Sequence, residues 1–227
     1  MYDLAVYGHL TVDRIFDNVS ESVTLGAIGN FWEACLLTES KLFVDIKPMC
    51  IGEAIIYINK EKGTRHGRGV LNLLNRKVDI NPECGWSHIM YLNQLEDASF
   101  IKEISNSNSI ISADLTSGQM KNVEYFKYLD YLFISDEDLF MDLEDLAKMV
   151  KGWVILHYPA GSVCHNGDTF YKAETSVVKD LNVLGAGDFF AASFIADKIK
   201  NNSNMEKTIK FSHENTKKLL LRRKNGK

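Results

Sequence analysis

No stretch of the 227-residue chain approaches the roughly 20 apolar residues that cross a bilayer, which argues against a membrane-spanning protein. A basic surplus is lacking too. Lys and Arg number 26 against 30 Asp and Glu, a net charge of −4 that leaves nothing to neutralise a phosphate backbone, so nucleic acid is not expected as the main partner. Close cysteine pairs are absent: Cys35, Cys50, Cys84 and Cys164 are scattered, which fits reduced thiols in a cytoplasmic protein better than a zinc or disulfide framework. The six histidines fall at no metal-ligand spacing and read as structural or surface residues. No Walker A sequence, internal repeat or low-complexity tract is present. The opening MYDLAVYGHL has no basic segment ahead of a long apolar core, so it reads as a strand and not as a secretion signal.

What remains is the composition of an ordinary globular chain, 45% hydrophobic and 25% charged, long enough for one large α/β domain with an ample core. From about Trp86 onward, short apolar runs alternate with amphipathic stretches. WSHIMYL, SIISAD, YLFIS and WVILH read as strands; LEDASFIKEIS, QMKNVEYFKYL and DEDLFMDLEDLAKMV read as the helices between and after them. That alternation builds a parallel sheet covered by helices. SVCHNG, TFYKAE and SVVK, short and separated by turn residues, suggest an antiparallel edge. In the first third, YDLAVYG is a strand and IGNFWEACLLTES begins a helix. LFVDI and EAIIYIN read as two strands separated by a turn, and EKGTRHGRG as a polar, glycine-rich loop. One domain over residues 1–227 is the simplest organisation, with a small β lid around residues 43–70. The C-terminal KKLLLRRKNGK reads as the solvated end of a last helix with a frayed tail.

The most informative stretch is NVLGAGDFFAASF, from Asn182 to Phe194. Gly185, Ala186 and Gly187 leave their amides unshielded where an apolar helix begins, and a helix N-terminus with unpaired N–H donors holds an anion. Asp188 beside that site is either a cap or a base. In SDEDLFMDLEDL, Ser135 with Asp138 three residues on reads as a capping-box-like helix start. GTRHGRG is not followed by a strand–turn–helix, and GHLTVDRI has no glycine-rich turn, so neither supports a dinucleotide-binding dehydrogenase.

Taken together, these pieces resemble the ribokinase-like (PfkB) carbohydrate kinase family. Asn182, Val183, Gly185, Ala186, Gly187, Asp188 and Ala192 fit its C-terminal signature, with Ser193 where Ala or Gly is usual. YDLAVYGHLTVDRI looks like its first strand, with Asp13 at the sugar-holding aspartate. LGAIGNFWEA is similar to its Gly-Gly…Asn element, with Asn30 at the substrate-binding asparagine, Leu25 at the first glycine and Trp32 in place of a small residue. EAIIYINKEKGTRH is similar to its lid. YLFISDEDL resembles the strand leading to an Asn-x-x-Glu element that organises Mg²⁺, with Ser135 and Asp138 at those two positions. VILHYPAGSV resembles the strand before the nucleotide-phosphate loop. The chain is shorter than typical members, the gap falling between Thr38 and Phe43.

The resemblance implies a three-layer α/β/α fold with a mostly parallel sheet and a small β lid. It implies transfer of a phosphoryl group from ATP, with Mg²⁺, to a hydroxyl of a sugar or nucleoside. Asp188 would be the catalytic base, and Gly185, Ala186 and Gly187 the anion hole. Asp13 and Asn30 would grip the acceptor, and Asp138 would organise the metal indirectly. Ribose, fructose derivatives, nucleosides and deoxy-keto acids are all acceptors the resemblance allows. A non-catalytic sugar- or nucleotide-binding protein of the same fold is the alternative. Both faces of EAIIYIN are apolar, and lids in this family pair across dimers, so a homodimer built partly on residues 43–59 is expected.

Overall fold

The first strand, β1 (Leu4–Phe16), sets the architecture. Leu4 and Val6 enter one apolar core, Ala5 and Tyr7 another, and all four are fully buried. A strand dry on both faces must be covered on both faces, as in the centre of an α/β sheet. β1 pairs in parallel with β5 (Trp86–Ile89) on one side and β3 (Val44–Asn59) on the other. Beyond β5 the parallel order runs through β6 (Ile110–Asp114), β7 (Tyr131–Ser135) and β8 (Trp153–Tyr158). Two antiparallel strands, β9 (Gly161–His165) and β10 (Phe170–Glu174), finish that edge. At the other edge β4 (Thr64–Asn75) pairs antiparallel with β3, and β2 (Glu21–Leu25) with the far half of β1. The computed structural model describes residues 2–16, 20–38, 41–59, 64–75, 77, 79–177 and 183–224, with backbone alone at 58, 59, 64–73 and 75.

Helices α1 (Ala27–Leu37), α4 (Ala186–Asn201) and α5 (Met205–Lys224) pack on the sheet face that carries Leu4, Val6, Phe133 and Ile155. Helices α2 (Phe100–Ser105) and α3 (Leu143–Met149), with a 3₁₀ turn at Val123–Tyr128, cover Ala5, Tyr7, Leu132 and Val154 on the other. The result is the expected three-layer arrangement around a mostly parallel sheet. Among the described residues no helix is long and apolar enough to cross a membrane.

Several local expectations are corrected. LFVDI and EAIIYIN belong to one 16-residue strand, β3, because pairing with β1 carries it past Pro48 without a turn. Pro48 lies beside a register shift, opposite Gly8, and beyond the β4 pairing that reaches only to Cys50. Those are the places where a strand tolerates a residue with no N–H. Of EKGTRHGRG, residues 61–63 lie outside the described residues, but Thr64 to Gly69 run in β4, where the ladder with β3 overrides their loop-like composition. QMKNVEYFKYL yields only a 3₁₀ turn, entered through Asn122 at φ 62°. The helix expected from Ser135 starts instead at Leu143, where the Asp142 carboxylate accepts from the Glu144 amide at 2.8 Å. Residues 39–40, Val178 and Lys179 of SVVK, Asn182 and the tail 225–227 also lie outside the described residues.

The far halves of β1 and β3, with β2 and β4, extend the sheet alongside the mouth of a cleft, which Ala54 and Ile56 line. Ile55 is half-buried and Tyr57 exposed, and the Tyr57 ring stacks on Phe16 at 5.5 Å. Behind the cleft, Phe194 is fully buried and meets Tyr131 and Phe133 edge-on, each at 5.3 Å. Phe194→Ala is expected to cost about 3–5 kcal/mol in urea unfolding, whereas Phe170→Ala, 66% exposed, should stay within about 0.5 kcal/mol.

Candidate active site

Carboxyl ends of parallel strands are where ligands bind in open α/β sheets, because the helices that follow present their N-termini there. In this chain those ends converge with the start of α4 on a cleft of about 440 Å³. All the residues singled out in the sequence line it: Asp13, Asn30, Asp138, Gly185, Ala186, Gly187 and Asp188.

The turn into α4 opens on a left-handed glycine, but of the three amides expected to face an anion that of Ala186 is already paired. Gly185 adopts φ 80°, a backbone state that side chains disfavour, and a Cβ there would lie 2.8 Å from the Asn30 carboxamide. The Ala186 amide turns back to the Val183 carbonyl at 3.0 Å. On the other side, a Cβ at Gly187 would lie 3.1 Å from the His157 ring. The helix therefore begins between two polar side chains with no room for a third.

Asp188 is 4% exposed. Asn30 Nδ2 donates to its Oδ2 at 2.9 Å and the Tyr91 hydroxyl donates to its Oδ1 at 3.2 Å. The carboxylate is thus oriented by side chains from α1 and from the second residue after β5. Burial pushes its pKa up to about 7, and the nearby charges of Asp114 and then Asp13 act in the same direction, against the two hydrogen bonds. Tyr91 itself has φ 56°, a left-handed state uncommon for a large side chain, where the chain enters a 3₁₀ turn at Leu92–Gln94.

Around this centre lie further polar groups. The Thr11 hydroxyl donates to Asp13 Oδ1 at 2.6 Å, and burial raises the Asp13 pKa. At the end of β6, Asp114 is buried with Oδ2 3.4 Å from His88 Nε2, while Ser112 Oγ bonds both the His88 ring (2.8 Å) and Trp86 Nε1 (2.7 Å). Among the described residues, Asp114 Oδ1 and His9 Nε2 are buried without a hydrogen-bond partner, and both residues line the cleft. At the end of β7 the Ser135 hydroxyl donates to Asp138 Oδ2 at 2.7 Å; the pair meets, but it caps no helix. Burial lowers the pKa of His157, and that of His213 falls to about 4. His9, His88 and His157 are site or core residues, not surface ones. Among the described residues, no three His, Cys, Asp or Glu side chains are grouped so as to hold a metal ion by themselves.

Tyr91, Asp114 and His157 were not singled out in the sequence. Each stands at or just after the carboxyl end of a parallel strand, which was the one signal that marked them.

No family model matches the chain, and no curated protein matches it. Its fold does match solved structures. Adenosine kinase from Sinorhizobium meliloti aligns with a TM-score of 0.75 at 15% identity, over 96% of this chain and 94% of that one. Ribokinase from Thermotoga maritima gives 0.72 at 16%, over 93% and 90%. A pyrophosphate-dependent kinase in the ribokinase family gives 0.67 at 15%, over 92% of each chain. The chain therefore has the ribokinase-like fold.

The buried Asp188 carboxyl has a consequence for stability. Its folded pKa of about 7 exceeds the unfolded value of 3.8, so the folded state binds the extra proton between these values. The stability it contributes is full below about pH 4 and is lost as pH rises through about 7. Asp188→Asn is expected to raise the melting temperature at pH 8 and to raise it much less at pH 4.5, read by differential scanning calorimetry at both pH values. An equal effect at the two would contradict the raised pKa.

Proposed function

We propose that the protein transfers a phosphoryl group from a nucleotide, ATP, to a hydroxyl of a sugar or nucleoside. The observation that carries this reading is Asp188: a carboxylate poised near neutral pH, oriented by Asn30 and Tyr91, one residue past a glycine turn that opens a helix. A general base works best with its pKa near the working pH. In this reading Asp188 takes the proton of the acceptor hydroxyl as the phosphoryl group arrives. Developing negative charge faces the helix start, with the Gly185 and Gly187 amides as donors; the Ala186 amide already serves Val183 and contributes through the turn it closes. Asp13, held by Thr11, accepts from acceptor hydroxyls. Asn30 offers its second N–H, since the first goes to Asp188.

Mg²⁺ fits the carboxylates present. Asp138, fixed by Ser135, and the unpartnered Oδ1 of Asp114 are single carboxylate oxygens of the kind that hold Mg²⁺ alongside waters and substrate phosphates. When bound, the ion would neutralise donor phosphate charge. For the donor, Val177, Val183, Leu184 and Leu220 give the cleft an apolar stretch suited to a nucleoside base. A pyrophosphate donor, as in one structural neighbour, would leave that apolar stretch uncovered, and either donor would need its charge offset. Among the described lining residues Lys217 is the only lysine or arginine, and its Nζ bonds Ser176. The buried thiols of Cys35, Cys84 and Cys164 support a cytoplasmic setting.

A thermal-shift screen of sugars and nucleosides, each with Mg-ATP or Mg-pyrophosphate, tests this directly, since ligands specific to the folded state raise its melting temperature. With the acceptor in hand, Asp188→Asn is expected to lower kcat by about 10²–10⁴-fold while binding persists. Binding without turnover in the wild type would favour the non-catalytic alternative, and an unaltered rate in Asp188→Asn would remove the base assignment.

We also propose a homodimer built partly on residues 43–59, with each lid helping to close the acceptor site. Tyr57 is 44% exposed on the strand that borders the cleft. Sedimentation is expected to give a dimer at micromolar concentration; a monomer there would defeat the arrangement.

A further inference from the structure

Arg223 stands near the end of α5, in the basic run whose sequence reads as a solvated helix end. The structure gives it a different environment. Its Nη1 donates to the Leu184 carbonyl at 3.0 Å, and its Nη2 donates to Asn30 Oδ1 at 3.0 Å and to Glu33 Oε2 at 2.5 Å. The guanidinium carbon lies 4.5 Å from the centre of the buried Phe189 ring, and the side chain is only 21% exposed. One planar group therefore ties the C-terminal helix to α1, to the turn before the glycines and to the first turn of α4.

The bond to Asn30 fixes more than position. A carboxamide has an acceptor end and a donor end, and nothing in its shape tells them apart. Arg223 has donors only, so it holds the Asn30 oxygen on its own side and turns Nδ2 towards Asp188. The flipped amide would set a carbonyl oxygen against the carboxylate and an N–H against a guanidinium, both repulsive. We propose that Arg223 is a positioning residue for Asp188, acting through Asn30 to keep an N–H donor on the carboxylate. This rests on the reading of Asp188 as the base for phosphoryl transfer.

The other groups around Asp188 do not supply this. Tyr91 donates to the opposite oxygen, and Asp114 and Asp13 disfavour its charge. His157, against Gly187, has its pKa lowered by burial. On the far side of the relay, Glu33 on α1 is the carboxylate that pairs with Arg223. The oriented amide is the link through which the guanidinium favours the ionised form.

The test follows the Asp188 carboxyl itself by NMR titration of protein labelled with ¹³C-aspartate, the resonance assigned by its loss in Asp188→Asn. In Arg223→Gln the Asp188 midpoint is expected to move up by about half a pH unit or more. Where turnover is measured, kcat should fall roughly threefold at pH 6, with the gap closing above pH 9. In an Asn30→Ala background, Arg223→Gln should move the midpoint no further. Arg223→Lys keeps the charge without the planar fork and should fall between wild type and Arg223→Gln; it also serves if the Gln variant does not fold. A midpoint unchanged in both variants, with only the melting temperature lowered, would make Arg223 a structural staple and overturn the proposal. Absence of turnover in the wild type would remove the kinase reading but leave the titration to decide the relay.

Discussion

A carboxylate buried under the first turn of a helix is the constraint that the rest of the cleft serves. A helix N-terminus favours negative charge, while burial and a neighbouring aspartate oppose it, and for Asp188 the opposing effects prevail to leave a pKa of about 7. A group in that balance needs its hydrogen bonds supplied from elsewhere in the chain. Asn30 reaches it only because α1 packs beside α4, with Phe31 and Ala34 in the same core as Phe189 and Phe190. Its carboxamide fits there only because residue 185 has no Cβ. Tyr91 reaches the other oxygen from a left-handed backbone after β5. Core packing, turn geometry and the titration of one side chain are thus parts of one arrangement.

How much of this could be read from the sequence depends on whether the information is local. The Gly185–Asp188 turn was legible because a glycine at positive φ and an apolar helix start are properties of a few consecutive residues. The parallel strands β5 to β8 were legible from apolar runs of strand length. Elements that depend on a partner were not. β3 reads as two strands until its pairing with β1 is known, and Thr64–Asn75 reads partly as a loop until it meets β3. The helix expected around QMKNVEYFKYL is a 3₁₀ turn because Asn122 bends the chain where side-chain periodicity says nothing.

The same distinction holds within the site. Asp13, Asn30 and Asp188 came from motifs, and the structure gathers them, with Asp138, on one cleft. Asp114 and Tyr91 carry no motif; their importance comes from standing at strand ends that face Asp188. Arg223 was read as part of a solvated basic tail because a charge run on a helix usually is one. Its hydrogen-bond partners lie 39 to 193 residues away in sequence, a separation over which no local pattern carries information.

The charge of the cleft constrains how a phosphate donor could enter it. Asp13, Asp114 and Asp188 are buried, and the ring charges that would offset them are suppressed, since burial holds His157 and His213 in their neutral forms at pH 7. Lys217 is the only lysine or arginine among the described lining residues. Attraction for a polyanion must therefore come from main-chain dipoles at the start of α4 and from a cation arriving with the donor. A helix N-terminus contributes roughly half an elementary charge, well short of the several charges on a triphosphate. On the proposed reading, donor affinity would depend on the accompanying ion far more than on any single side chain. In the same reading, Ser135 and Asp138, which stand where the resemblance expects Asn and Glu, would still present an oriented carboxylate to such an ion, since the serine hydroxyl at 2.7 Å holds it.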